Sequence, residues 1–422
     1  MPLYRVLLFF AWVPVAALLL RRVVRRRESL ADWRQRTGLS IGGAPGPHLW
    51  LHAASNGELI SARPVILALK DRHPDLKLLI TTNSLSGRAM ALGWGLDGLT
   101  ARLAPVDSRW ASALIIRRYD VRGHVLLESE FWPNRIAAMA ARGLPVFSIG
   151  ARLSSRTAQS WRRVSHLAEQ VLSRLTLVSP QDAGSRRRLL NLGLSAGQLG
   201  PVLDLKAFYA PPMDLTPDPA LTAAFPRDET WLAASTHEGE DEIVLDAHAR
   251  LRATRPDARL IIAPRHPARG ASIAALARSA GMGAALRSAG DQPRPDAVYV
   301  ADTLGEMPLW YALAGTTFIG GSLVEKGGHT PFEPAVFDST LLHGPDTRNF
   351  TRIFRRLDVA GAAMQISDAE SLARALLQTR DPERRDTMRR VARDQLDHPA
   401  DLDTVVDRIS ACLPGLASAN NG

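Results

Sequence analysis

The sequence contains a single cysteine, Cys412, in 422 residues. That excludes a disulfide framework and a cysteine-cluster zinc site, and it fits a reducing compartment. Aromatic residues make up only 6%, and no basic stretch carries Tyr or Phe at stacking positions, so nucleic acid is not an expected partner. No GxSxG elbow and no GxxxxGK[ST] loop occur, which removes the mechanical core of a serine hydrolase or a P-loop NTPase. His52, His237, His266 and His329 stand at the ends of apolar runs, but none of them pair with HExxH-like spacing; no metal and no other cofactor is expected.

Hydrophobic content of 46% with 22% charged residues is globular, and the length allows two domains with full cores. The net charge of +10 points to an anionic partner. At the N-terminus, "YRVLLFFAWVPVAALLLRRVVRRR" is an apolar run of roughly 15 residues, interrupted by Pro14 and followed by Arg21, Arg22, Arg25, Arg26 and Arg27. A cleavable signal would carry its charge before the apolar run. Charge after it predicts a membrane anchor with the rest of the chain in the cytoplasm, aided by anionic lipid headgroups.

After the anchor, continuous apolar runs alternate with amphipathic segments. "HLWLHA", "LKLLITT", "HVLLES", "LPVFSIGA" and "LTLVSP" fill the first half; "TWLAAS", "ARLIIAP", "AVYVAD", "TTFIGG" and "STLLHG" fill the second. This pattern predicts parallel sheets covered on both faces. A Pro-rich stretch separates the halves. The expected organisation is α/β: an anchor at 1–27, a Rossmann-like domain at 28–209, a linker at 210–228 and a second Rossmann-like domain at 229–422. "LHAASNGE" in the first half is echoed by "LAASTHEGEDE" in the second, each at the first strand-to-helix turn. The echo fits two related domains facing each other across a cleft.

Several turns carry candidate chemistry. Ser55 and Glu58 have the spacing of a capping box, and Glu58 is equally suited to act as a general base. "LLESEFWPNRI" places Glu128 and Glu130 at a strand end, fit for acceptor binding or catalysis or for a solvated loop. "APRHPARG" offers Arg265, His266 and Arg269 to phosphate or carboxylate oxygens. "FIGGSLVEKGGHTPFEPAVF" has four glycines whose N–H groups could approach a phosphate or sugar. Within it, Glu333 suits either ribose hydroxyls or a helix cap.

Taken together, "HAASNGE", "TTNSLSG", "LESEFWPN", "GARLSSRT", "AASTHEGEDE", "APRHPAR", "ADTLGEMPLWYALA", "GGSLVEKGGHTPFEPA" and "HGPDTRNF" resemble, in order, the 3-deoxy-D-manno-octulosonic acid (Kdo) transferase family. The resemblance runs from residue 1 to about 350. It implies an inverting, metal-independent glycosyltransferase of the two-Rossmann-domain GT-B type. Such an enzyme moves Kdo from CMP-Kdo to a lipid A precursor at the cytoplasmic face of the inner membrane. By the same resemblance Glu58 is the base, and Glu130 matches a second acidic position of the family. Donor contacts fall on Arg265, His266, Gly320, Gly321, Ser322, Glu333 and Lys206, and acceptor contacts on Ser55, Asn56, Gly57 and Arg152. The sequence departs from the family at Pro201, where an Asn is usual, with Lys206 displaced from the preceding glycine, and at Thr330-Pro331-Phe332, where Asn-Pro-Leu is usual. The alternatives are a diverged GT-B enzyme using another acceptor or nucleotide sugar, a sugar-nucleotide epimerase or hydrolase, and a non-catalytic lipid-binding protein.

Overall fold

Strand β1 (His48–Ala53) is buried at every position. Leu49, Leu51 and Ala53 pack into one core cluster of its sheet, and Trp50 into another. A strand buried on both faces belongs inside a parallel sheet. The computed structural model, which describes residues 2–39, 43–128, 130–209, 215–396 and 399–414, builds two such sheets. The chain divides into two units, Met1–Phe208 with His398–Gly422, and Tyr209–Asp397.

In the first unit, β1 is joined by β2 (Lys77–Thr82), β3 (Leu99–Leu103), β4 (Val121–Leu127), β5 (Val146–Ala151) and β6 (Leu177–Pro180). All pairings are parallel and the order is β3-β2-β1-β4-β5-β6. This is the Rossmann order, with its reversal between β1 and β4. The helix Asn56–Arg72 covers one face through the fully buried Leu59, Val65, Ile66 and Leu69; each such side chain contributes roughly 1.5–3 kcal/mol relative to exposure.

The second unit holds β7 (Thr230–Thr236), β8 (Arg259–Pro264), β9 (Gly283–Leu286), β10 (Ala297–Val300), β11 (Thr316–Ile319), β12 (Thr340–His343) and β13 (Ala363–Gln365). Its order is β13-β12-β11-β7-β8-β10-β9, again all parallel. Here the reversal falls between β7 and β11.

Three expected boundaries change. The N-terminal helix Pro2–Val24 is not a separate element: Trp33 Nε1 donates to the Ala16 carbonyl at 3.3 Å and the Tyr4 hydroxyl to Asp107 at 2.8 Å, both within the first unit. Among the described residues no helix is long and apolar enough to cross a membrane. Of the expected linker, 210–214 lie outside the described residues, whereas Pro219–Ala224 is helical and Leu221 and Phe225 enter the core of the second unit.

The C-terminal segment does not stay with the second domain. Helix Pro399–Cys412 returns to the first unit, where Val405, Val406, Ile409 and Leu413 join the core beside Leu49 and Phe147. Gly123 in β4 makes room for it, since a Cβ there would come within 2.6 Å of Leu413. Arg72 adds hydrogen-bonded ion pairs to Asp403 at 2.8 Å and Asp407 at 2.9 Å.

Candidate functional site

Ligands of open parallel sheets bind beside the point where strand order reverses, at the carboxyl ends of the strands. In the first unit that point lies between β1 and β4, and the turns after those strands carry Glu58, Glu128 and Glu130. Ser55 has an extended backbone, and its Oγ accepts the Glu58 N–H at 3.2 Å, capping the helix as expected. The Glu58 carboxylate does not close the capping box onto Ser55. It reaches one residue further back and accepts the Ala54 N–H at 2.7 Å, so it folds over the strand end. Burial pushes its pKa up to about 7; the Ala54 hydrogen bond opposes this, and the charges of Glu128 and Glu130 add to it.

Glu130 is held the opposite way. Burial alone would raise its pKa, but it accepts hydrogen bonds from His52 Nε2 at 3.3 Å and from Trp132 Nε1 at 2.7 Å and feels the Arg135 charge, which together keep it below its ordinary value. His52 is fully buried, and burial with the Arg135 charge holds its pKa down to about 4. The ring is therefore neutral at pH 7, with Nε2 facing the Glu130 carboxylate and Nδ1 facing the Thr81 carbonyl at 3.0 Å. Its Nδ1 sits 3.0 Å from Thr81 Oγ1, which accepts from Trp50 Nε1 at 2.9 Å. A run of hydrogen bonds thus ties Glu130 to the core.

Arg135 lies beneath this turn, 1% exposed, its guanidinium 5.0 Å from the Trp50 ring and 5.8 Å from that of Trp132. Asp107 fixes the helix that bears it, accepting the N–H groups of Asn134 at 2.9 Å and Arg135 at 2.8 Å. Glu128 adopts φ 50°, a left-handed conformation costly for a non-glycine residue. Burial raises its pKa, against the charges of Lys206 and Arg152.

The second unit repeats the arrangement at its own reversal point. After β7 come His237 and Glu240; after β11 comes the turn Gly320-Gly321-Ser322. Glu240 is fully buried and accepts four backbone N–H groups, from His237 at 2.9 Å, Gly321 at 2.7 Å, Ser322 at 3.1 Å and Leu323 at 3.0 Å. Burial raises its pKa, and those bonds oppose the rise. The His237 and His329 rings stack at 5.2 Å with 4° between planes, their Nε2 atoms 2.9 Å apart. His266 lies edge-on to His237 at 6.0 Å. Burial, followed by the charges of Lys326, His266, Arg269 and Arg265, lowers the His237 pKa. Ser322 Oγ binds the Ile319 carbonyl and accepts the Gly344 N–H at 2.7 Å. The Glu333 charge helps raise Tyr209 and Tyr311, after burial, the larger cause.

The expected residues are thus divided between the two units. Ser55, Gly57 and Glu58 stand at the turn after β1 and Glu130 at the turn after β4, and Arg152, just past β5, acts on Glu128. Asn56 joins them, with its amide bonded to Ser84 and Ser86 Oγ at 3.0 Å each. Arg265, His266 and the turn Gly320-Gly321-Ser322 gather around His237 in the second unit, whereas Glu333 acts on Tyr209 and Tyr311. Lys206, expected with the donor residues, falls in the first unit beside Glu128, because Leu203 and Leu205 anchor its segment in that core.

The glycine N–H groups are not open to a phosphate. Gly320 donates to Ala234 O, Gly321 to Glu240, Gly327 to Asp346 and Gly328 to Gly321 O. The glycines serve close packing instead: a Cβ on Gly320 would lie 2.6 Å from the Ser235 carbonyl. Sequence reasoning passed over Arg135 and Glu240 as functional residues and considered His52 only as a metal ligand. The one available signal was the echo, which aligns Glu58 with Glu240.

Residues 31–208 match the family model described as 3-Deoxy-D-manno-octulosonic-acid transferase (kdotransferase). The 3-deoxy-D-manno-octulosonic acid transferase of Haemophilus influenzae is 32% identical over 336 residues, 79% of either chain. That of Bordetella pertussis is 33% identical over 389 residues, covering 87% of this chain and 90% of the relative. Among solved structures, the UDP-GlcNAc 2-epimerase of Neisseria meningitidis bound to UDP-GlcNAc shares the fold, with a TM-score of 0.59 at 14% identity over 86% of this chain and 99% of that one. Two parallel Rossmann-like sheets and relatives matched over most of their length lead to one assignment: the chain belongs to the Kdo transferase family of glycosyltransferases.

Proposed function

We propose that this chain transfers Kdo from CMP-Kdo to a lipid A precursor, with inversion at the anomeric carbon, in lipopolysaccharide biosynthesis. The observation that carries the mechanism is the separation of two carboxyl groups at one turn cluster: Glu58 pushed up to about 7, Glu130 held below its ordinary value. Environments that drive two carboxyls apart assign their roles. A base with a pKa near the working pH combines a usable ionised fraction with the strongest drive to take a proton, so Glu58 removes the proton from the acceptor hydroxyl. The oxygen attacks the anomeric carbon as the bond to the CMP phosphate breaks, CMP leaves with the electron pair, and the proton stays on Glu58. Glu130 remains ionised and, fixed by His52 and Trp132, orients the acceptor. In the second unit Arg265 and His266 meet the anionic donor, and Glu333 accepts from its ribose hydroxyls.

A lipid acceptor calls for a membrane contact. The N-terminal helix exposes Phe10 (72%), Val13 (73%) and Val24 (75%), and Arg21, Arg22 and Arg25–Arg27 follow its apolar part. Apolar side chains flanked by basic ones favour binding at an anionic lipid surface, which supports the cytoplasmic face of the inner membrane as the place of work.

Purified protein incubated with CMP-Kdo and lipid A precursor should release CMP and give a lipid heavier by whole Kdo units in the mass spectrum. Release of CMP without a heavier lipid would mark a hydrolase, and no release at all would reject the donor. Removal of residues 1–27 should lower activity on vesicle-borne acceptor more than on detergent-dispersed acceptor; equal losses would argue against the membrane contact.

A further inference from the structure

The turn after β11 has the residue types of an anion-binding loop, yet its amides are already engaged from below. The two oxygens of Glu240 divide the work: Oε2 accepts from His237 and Gly321, Oε1 from Ser322 and Leu323. A carboxylate offers about four acceptor positions, so this one is filled within the chain and keeps none for a ligand. Its bonds join the turn after β7 to the turn after β11 across the reversal point, where ligands of such sheets bind.

The charge matters as much as the geometry. A phosphate approaching the same amides would have to displace a buried carboxylate of its own sign. The groups with positive charge near the turn are side chains: Lys326, Arg265 and Arg269 all act on His237, and Arg269 is itself paired with Asp241. Gly321, at φ 68°, lies against the His237 and His329 rings, where a Cβ would come within 3.2–3.3 Å of either. The height of this turn therefore fixes where both rings stand.

We propose that Glu240 is the positioning residue of the donor site: it sets the Gly321–Leu323 turn and His237, and leaves the donor's anionic groups to the side chains of Arg265 and His266 rather than to turn amides. This rests on the donor reading above. Glu240→Gln keeps the shape but offers one acceptor oxygen and turns an amide NH2 toward two of the N–H donors. Glu240→Asp keeps the charge on a shorter arm.

The test uses CMP as the probe in titration calorimetry, steady-state kinetics with CMP-Kdo, and amide hydrogen exchange on the ligand-free chain. Glu240→Gln should weaken CMP binding tenfold or more and raise KM for CMP-Kdo by a similar factor, with kcat within about threefold. Glu240→Asp should recover part of the affinity. In the wild-type chain the amides of Gly321, Ser322 and Leu323 should be protected without ligand, and the Gln variant should release them. Fast exchange at these amides in the wild type overturns the proposal even if neither variant folds. Wild-type CMP affinity in Glu240→Gln overturns it while leaving the donor reading intact. A wild-type chain that does not bind CMP overturns the donor reading, and this proposal with it, whatever the amides do.

Discussion

Replacing Glu58 by Gln should make the protein inactive and more stable, with a pH dependence that identifies the cause. The carboxyl's ordinary value is 4.5 and its value in the fold is about 7. The folded state therefore resists ionisation of this group. Its stability is fullest below the unfolded value, declines as pH rises from about 4.5 to 7, and is level above. The full shift corresponds to a ceiling of about 3 kcal/mol, and solvent screening of a half-buried group reduces this to roughly 1–2 kcal/mol. Gln is neutral throughout and still offers an oxygen to the Ala54 N–H. At pH 8 the variant should melt roughly 2–6 °C above the wild type; near pH 4.5 the difference should vanish. Loss of the general base should lower kcat by roughly 10²–10⁴-fold. Thermal melts of both proteins from pH 4.5 to 8.5, beside initial rates, decide the matter. A variant less stable at pH 8, or a gain that does not shrink on acidification, would refute burial as the origin of the raised pKa.

The wild-type rate constant kcat/KM should rise with pH and reach half its plateau near 7, and Glu128→Gln, by removing one neighbouring charge, should move that midpoint down by roughly 0.5–1 unit. His52→Leu fills similar space without a donor, so Glu130 should titrate higher and urea unfolding should show a loss of roughly 1–3 kcal/mol. Gly123→Ala drives a methyl group against Leu413 and should destabilise the first unit by roughly 1–3 kcal/mol. Combining it with Leu413→Ala should give less than the sum of the two losses in a double-mutant cycle.

The strands that sequence patterning found are those buried on both faces. β3, β9 and β13 escaped it, and each is an edge strand of its sheet. The faces of these three are only partly buried, so "LTARL", "GAAL" and "AMQ" lack the continuous apolar run by which fully buried strands declare themselves; β6, also at an edge but buried throughout, was found. The placement of Glu58 and Glu130 was legible because strand-to-helix turns can be read from local pattern. The partners that set their pKa values were not: His52, Thr81, Trp50 and Arg135 converge from separate strands and turns, and only the sheet register unites them. Glu240 was hidden differently. The echo of the first turn drew attention to its segment but gave it no role, because the four backbone donors that bind it lie mostly about eighty positions away. Glu58, with a single backbone donor at Ala54, keeps the acceptor capacity that Glu240 has lost.

The return of the last helix to the first unit bears on how the chain is made. Tyr209–Asp397 must be synthesised before Val405, Val406, Ile409 and Leu413 exist. At about 5–20 residues per second the first sheet waits roughly 10–40 s with the surface around Gly123 and Leu49 uncovered. The second unit is continuous and can close on itself in that interval. The domain that begins first is thus completed last, and a ribosome stalled near the end of the message would carry a finished second unit beside an unfinished first one.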